Sequence, residues 1–189
     1  EVQILADSKG NIVHLFERDC SVQLRNQKVM EIAPAPNLSE EIRANMLQDA
    51  IKVAEAANYV NAGTVEFLYS PESKQYFFIE VNPRIQVEHT VTEQITGIDL
   101  VESQFLIAAG ESLSDLGIDG QNSIMARGFA MQARVVAQST GTLQAYKEPS
   151  GAGIRVDACG YVGLSPPNNY DPLLAKVVCY HPTSRFEKV

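Results

Sequence analysis

Residues 77 to 89 read FFIEVNPRIQVEH, and from Glu80 to Glu88 every second side chain is polar or charged: Glu80, Asn82, Arg84, Gln86 and Glu88. Between them stand Ile79, Val81, Pro83, Ile85 and Val87. In an extended chain this alternation puts the polar set on one side and the apolar set on the other. A second run, GTVEFLYS at 63–70, is joined to QYFFIEVN at 75–82 by the short polar connection PESK, which reads as a hairpin. Centred on Ser73, that hairpin sets Glu66 opposite Glu80. Directly opposed side chains lie about 5 Å apart. Two carboxylates at that distance repel by about 3 kcal/mol at an effective dielectric near ~20. A shared proton or a cation between them relieves the repulsion. Asn82, two residues beyond Glu80 on the same face, adds a neutral oxygen. Two carboxylates and an amide oxygen are ligands for a hard cation such as Mg²⁺, which takes its other ligands from phosphate. A solvated acidic face, or a slip of one residue in register, would leave the two acids without that role.

The residues that follow extend the chemistry. Eight residues of continuous strand would carry Glu88 about 26 Å from Glu80, too far for one small site. Pro83 cannot donate to a sheet ladder, so the strand is expected to stop there and the chain to fold round a substrate. Arg84 offers a planar fork for a carboxylate or phosphate. Gln86 can donate to the same anion, and Glu88 is a candidate base. A metal clamp, an anion fork and a carboxylate in sequence point to the joining of a phosphate to a carboxylate-like oxyanion. An ion pair between Arg84 and Glu88 is the purely structural alternative.

The elements that must position these groups can be read on either side. VQILAD and NIVHLFERDC, joined by SKGN, form a hairpin pattern. SVQLRNQKVMEIAPAPN is extended at first and stiffened by Pro34 and Pro36. A helix is expected from Asn37, with Glu40 completing a capping box and Ile42, Met46, Ala50 and Ala54 on one face to about Ala57. TVTEQITG and DLVESQFLIAAG read as helices closed by Gly97 and Gly110. The loose stretch SLSDLGIDGQNS marks a boundary, dividing the chain into an α+β part at 1–110 and a mostly β part at 111–189. In the second part RGFAMQARVV, GTLQAY, GIRVDA and LAKVVCY are strand candidates. The ends read as cut: EVQILAD begins inside a strand, and Thr183 or Ser184 caps a helix that has barely begun.

Composition bounds the partners. The 189 residues carry a net charge of −8, which disfavours a nucleic-acid-coating surface. No run approaches the roughly eighteen apolar residues of a membrane helix, and no signal segment opens the chain. The three cysteines, Cys20, Cys159 and Cys179, lack metal-ligand spacing and read as reduced thiols.

HLFERDCSVQ, QKVMEIAPAP, AGTVEFL, FFIEVNPRIQVEHTVTEQITGIDL and AMQARV, in this order, resemble the biotin carboxylase component of biotin-dependent carboxylases, which are ATP-grasp enzymes. The likeness is densest over 60–110 and looser after Arg134. It implies the C-terminal half of an ATP-grasp domain over 1–110, followed by the biotin carboxylase C-terminal domain. It implies Mg²⁺ or Mn²⁺ held by Glu66 and Glu80 with Asn82 assisting, and Lys28 at the ATP phosphates. Gln23 and Leu68 would lie at the nucleotide, Leu68 beside the adenine. Arg84, Gln86 and the backbone N–H of Val87 would bind bicarbonate. Glu88 would deprotonate it for attack on the γ-phosphate, giving carboxyphosphate, and Arg134 would stabilise the biotin enolate during its carboxylation. Biotin would arrive on a separate biotinyl carrier domain, and a carboxyltransferase domain would take the carboxyl onward. Other implications are an oligomeric parent and a cytoplasmic or mitochondrial matrix location. The family's glycine-rich lid would lie ahead of Glu1, so the chain alone is expected to turn over no ATP. Leu24 and Asn26 depart from the family, which commonly has arginine and histidine there, and they are the sequence support for the alternative of a non-catalytic scaffold. IEVNPR alone would also fit another ATP-grasp ligase, such as a carbamoyl-phosphate synthetase half. His89, His14 and Asp171 are further polar candidates, each with a structural explanation as well.

Overall fold

The computed structural model describes residues 1–166, 172–183 and 185–189; Asp171 and Ser184 lie outside the described residues. Two antiparallel sheets organise the chain. The first has strand order β2-β1-β5-β6, built from β1 (Val2–Ala6), β2 (Ile12–Glu17), β5 (Asn61–Ser70) and β6 (Gln75–Asn82). The second has order β3-β4-β7-β9-β8, from β3 (Asp19–Leu24), β4 (Gln27–Ala33), β7 (Phe129–Val136), β8 (Ile154–Ala158) and β9 (Leu173–His181). The fold is α+β. The second sheet takes β3 and β4 from the first third of the chain and its other strands from the last third.

Both faces of the first sheet are covered. Helix α1 (Glu40–Ala56) lays Met46, Leu47, Ala50 and Ala54 against Val2, Ile4 and Val65. Each large apolar side chain so buried contributes about 1.5–3 kcal/mol. On the other face, α3 (Leu100–Ala108) and the stretch after it pack Leu100, Ile107, Leu113 and Ile118 on Leu5, Leu15 and Ala62. Between the sheets sits α2 (His89–Thr96), with Val91 and Ile95 buried against Ala33, Ala130 and Val178.

The expected helix over 37–57 starts later than its sequence signal. Ser39, not Asn37, is the N-cap, its Oγ accepting from the Ile42 N–H at 3.4 Å. Ser39 has the extended cap conformation, and Glu40 and Glu41 still fall in the first turn, where the helix dipole favours them. Gly97 closes α2 with φ 74°, a conformation that a side chain would strain. The strand expected at GTLQAY does not form. Among the described residues its backbone–backbone bonds link Leu143 with Gly163 and Leu164, and most of its side chains face solvent. Among the described residues after Thr183, Phe186–Lys188 form a short 3₁₀ turn.

One irregularity carries the chain from the first sheet to the second. β2 pairs Val2 with Glu17 but Ile4 with His14, so a bulge lies between them. Phe16 inside it has φ 63°, an unusual value for a bulky residue, and its ring packs against all three apolar clusters. The kink turns Glu17 and Arg18 inward before β3 begins at Asp19. The β3–β4 turn is Arg25-Asn26, both with positive φ, between Leu24 and Gln27. Asn suits that mirror-image turn, which gives Asn26 a local reason of its own.

Candidate active site

The hairpin register at the acids is the one read from the sequence. Thr64 pairs with Asn82, Val65 with Val81 and Glu66 with Glu80. A bulge between Glu66 and Phe67 then shifts the distal pairs, so Leu68 meets Phe77 rather than Phe78. β6 stops at Asn82, directly before Pro83, and a loop of 83–88 leads into α2.

The carboxylates are not left to repel each other. Glu66 Oε1 accepts from Asn82 Nδ2 at 2.8 Å, from Gln86 Nε2 at 3.0 Å and from Lys28 Nζ at 3.4 Å. Glu80 is exposed, and among the described residues its carboxylate accepts from Asn82 Nδ2 alone, at 3.3 Å. In this arrangement the amide nitrogen of Asn82 stands between the acids. Which way an amide points is fixed by the hydrogen bonds it is offered. Turned over, Asn82 completes an all-oxygen donor set with Glu66 and Glu80, which fits a hard divalent cation.

Glu88 is the junction of the site. It is 2% exposed, with Oε1 2.7 Å from Lys28 Nζ and Oε2 3.0 Å from the Arg134 guanidinium. These cations come from β4 and β7, neighbouring strands of the second sheet, while Glu88 lies at the start of α2. Lys28 also pairs with Glu1 and, at 3.4 Å, with Glu66. Burial alone would lower the Lys28 pKa, but Glu1 and Glu88 outweigh it and hold the ammonium above its usual range. Arg134 lies 2.6 Å from Glu31, which is fully buried and hydrogen-bonded to Gln132 at 2.9 Å. Burial keeps the Glu31 carboxyl above the usual carboxylate range even with Arg134 beside it.

Beneath this cluster Arg18 is sealed in, 2% exposed. It donates to Gln3 Oε1 at 2.7 Å, Gln86 Oε1 at 3.0 Å, and the hydroxyls of Thr64 and Thr92 at 3.1 Å each, with Glu1 at 3.4 Å. A cleft of about 590 Å³ opens between the sheets and α1, lined among others by Lys28, Gln23, Glu66, Leu68, Ile79 and Asn37.

Most of the sequence candidates therefore converge. Glu66, Asn82, Gln86, Lys28, Glu88 and Arg134 form one connected set, and Gln23 and Leu68 line the adjoining cleft. Gln23 pairs with Lys28 across β3 and β4, and its side chain donates to the Cys20 carbonyl at 3.0 Å. Among the described residues no acceptor is bonded to the Val87 N–H. Arg84 stands apart. It is exposed and folds back on Ile85 O at 3.2 Å and Asn82 Oδ1 at 3.4 Å. It makes no ion pair with Glu88, whose partners are Lys28 and Arg134. His89 turns its Nδ1 to the Gln86 carbonyl at 2.7 Å, and His14 is tied to Gln121. Sequence reading passed over Arg18, Glu31 and Lys176. Their signal is faint: Glu31 and Lys176 are single charges inside the apolar strand patterns VMEIA and LAKVV, and Arg18 is one of three charges in FERDC.

Two family profiles match the chain. Carbamoyl-phosphate synthase L chain, ATP binding domain, matches residues 1–116, and Biotin carboxylase C-terminal domain matches residues 131–187. Pyruvate carboxylase of Aspergillus niger is 50% identical over 188 residues, covering 95% of this chain and 16% of that protein. Pyruvate carboxylase of Staphylococcus aureus is 48% identical, covering 94% of this chain and again 16% of the relative. The complete multifunctional pyruvate carboxylase of Rhizobium etli superposes with TM-score 0.91 at 48% identity, over 96% of this chain and 19% of that one. The biotin carboxylase domain of Hydrogenobacter thermophilus 2-oxoglutarate carboxylase, in complex with MgADP, ADP and bicarbonate, superposes with TM-score 0.90 at 42% identity, over 96% of this chain and 41% of that one. The chain thus spans 16% of the length of the curated relatives it matches first. The ATP-binding profile alone would leave the kind of ligase open; the second profile narrows it. By the profile covering its first 116 residues, the chain belongs to the carbamoyl-phosphate synthase L chain, ATP binding domain family, and residues 131–187 carry the match to the biotin carboxylase C-terminal domain.

Proposed function

We propose that this chain carries the core of a biotin carboxylase site, in which ATP and bicarbonate give carboxyphosphate and the carboxyl group passes to biotin. The observation that carries the reading is Glu88, held by Lys28 on one oxygen at 2.7 Å and by Arg134 on the other at 3.0 Å. A phosphate-binding cation, a base and an arginine for the carboxyl acceptor thus meet on one carboxylate. Residues 1–110 supply the ATP-grasp part and 111–189 the biotin carboxylase C-terminal part.

In this reading the cleft takes the nucleotide, with Leu68 and Gln23 at its wall and Lys28 at the phosphates. Glu66, Glu80 and Asn82 hold Mg²⁺ or Mn²⁺, which neutralises phosphate charge when bound. Gln86 Nε2, the Val87 N–H and Arg84 bind bicarbonate. Arg84 must then leave its contacts with Ile85 and Asn82, a small movement for an exposed side chain. Glu88 takes the bicarbonate proton, a bicarbonate oxygen forms the bond to the γ-phosphorus, and ADP leaves. Arg134 offers its guanidinium to negative charge that develops on the carboxyl acceptor. Biotin is delivered by a biotinyl carrier domain, and a carboxyltransferase domain takes the product onward, within an oligomer in the cytoplasm or mitochondrial matrix. Among the described residues no helix is long and apolar enough to cross a membrane. In this reading neither nucleic acid nor a membrane is expected as a partner.

Two expectations test the reading. In the full-length enzyme, free biotin should raise bicarbonate-dependent ADP release. Stimulation by ammonia or glutamine, with no response to biotin, would favour a carbamoyl-phosphate type of ligase instead. The two metal acids should also separate. Glu80→Gln is expected to weaken Mg²⁺ binding and leave the metal-free melting temperature level, since Glu80 is exposed with one long contact. Glu66→Gln is expected to lower both, because its carboxylate accepts from three donors. Calorimetric titration and thermal melts check this; equal melting losses for the two variants would contradict it.

A further inference from the structure

The loop from Gln86 to Glu88 is held from behind by three donors on three different elements. Arg18, where β2 passes to β3, donates to Gln86 Oε1 at 3.0 Å. His89, the first residue of α2, meets the Gln86 carbonyl through its Nδ1 at 2.7 Å and through its backbone N–H at 3.2 Å. Lys176, on β9 of the second sheet, donates to the Val87 carbonyl at 2.9 Å and lies 3.4 Å from Asp157. Arg18 is 2% exposed and Lys176 is 8% exposed, so neither donor is on offer to solvent.

Each contact takes up an acceptor. With Gln86 Oε1 bound to Arg18, the amide has one orientation left, and its Nε2 points to Glu66 at 3.0 Å. A carbonyl only accepts, so the His89 bond places a hydrogen on Nδ1. Burial, with the Lys176 charge nearby, holds the His89 pKa below its usual value. The ring donates through Nδ1, and its Nε2 faces Glu93 Oε1, 3.8 Å away. The Gln86 carbonyl and the Val87 N–H belong to one peptide unit. Hydrogen bonds on the carbonyl polarise that unit and make its N–H a better donor.

We propose that Arg18, His89 and Lys176 are positioning residues for the Gln86–Glu88 loop: by occupying its acceptors they fix the orientation of its N–H donors and set it to hold an oxyanion. This rests on the reading of Gln86 and Val87 as the bicarbonate donors and extends it to residues that never touch the anion. His89 gives the cleanest test, because an asparagine amide can place an N–H where Nδ1–H stands and leucine cannot. In the full-length enzyme, His89→Leu is expected to raise the KM for bicarbonate about tenfold, the equivalent of one lost hydrogen bond, with the KM for Mg·ATP nearly unchanged. His89→Asn is expected to recover most of that loss. Lys176→Met is expected to act in the same direction and serves as the second variant should His89→Leu fold poorly. Thermal melts of all variants run alongside. A bicarbonate KM that neither His89→Leu nor Lys176→Met moves would overturn the proposal. So would a parallel rise in both KM values with no recovery in His89→Asn, which is what a merely structural role gives. Gln86→Leu separates the two levels of the argument. If it raises the bicarbonate KM while the rear variants do not, the positioning proposal alone falls. If Gln86→Leu leaves bicarbonate binding unchanged, the underlying assignment of the anion donors falls with it.

Discussion

Glu88→Gln in the full-length enzyme is expected to cut bicarbonate-dependent ADP release by about 10²–10⁴-fold, the usual share of a positioned general base. Mg·ATP binding should remain nearly intact. Glutamine keeps the shape of the side chain and removes the ability to take a proton. The variant should also fold, because neither cation that Glu88 touches is stranded. Lys28 keeps Glu1 and Glu66, and Arg134 keeps Glu31 at 2.6 Å. Coupled ADP assays with and without bicarbonate, alongside calorimetric Mg·ATP binding, check both halves. Loss of nucleotide binding together with turnover would make Glu88 a structural anchor of the Lys28 cluster. Turnover at the wild-type rate would remove it from the mechanism.

Arg134→Ala should split the two half-reactions. Carboxylation of biotin is expected to fall by about 10²–10³-fold, the scale for losing one donor to developing negative charge, while part of the bicarbonate-dependent ATP cleavage survives. The survival is partial because Arg134 also touches the base, at 3.0 Å. Stability changes too. The variant leaves Glu31 buried without its cation, and stranding a buried charge costs about 3–5 kcal/mol. That loss depends on pH. The Glu31 carboxyl is already raised by burial, and without Arg134 it rises further. A raised carboxyl favours the folded state below its unfolded pKa, and that advantage is lost as pH climbs through the folded value. The destabilisation should therefore be largest near neutral pH and shrink as pH falls toward the ordinary carboxylate range, where Glu31 takes up a proton. Melting curves over that range check it. Equal loss of both half-reactions would move Arg134 into the phosphate site.

The parts of this site that the sequence displays are those written in local pattern. Glu66, Glu80 and Asn82 follow from two alternating runs and a short turn. Pro83 announces the end of β6, because a residue without an N–H cannot extend the ladder. The bulge between Glu66 and Phe67 carries no glycine or proline to mark it, so the shifted pairing of Leu68 with Phe77 was not legible. It lies beyond the acids and left their pairing intact. The meeting of Lys28, Glu88 and Arg134 was reached through family likeness rather than spacing. It depends on β4 and β7 pairing across nearly a hundred residues, as Ile32 with Met131 shows. The same long-range pairing explains why the second sheet draws on both ends of the chain, although the texture of the sequence changes only near Glu111. Arg18 was missed because its role comes from the Phe16 bulge, a backbone feature with no composition signal. Asn37 has the spacing of a cap, three residues before Glu40. Ser39 takes the cap instead, and Asn37 lines the cleft.

The most direct test of the account follows the carbon. The full-length enzyme is given radiolabelled bicarbonate, Mg·ATP and free biotin, and acid-labile label on biotin is measured together with ADP. Label on biotin is expected in step with ADP, absent without ATP, nearly abolished in Glu88→Gln, and lost in Arg134→Ala more completely than ADP release. ADP formed in a bicarbonate-dependent way with no label on biotin, or with the label moving to an ammonia-derived product, would contradict it.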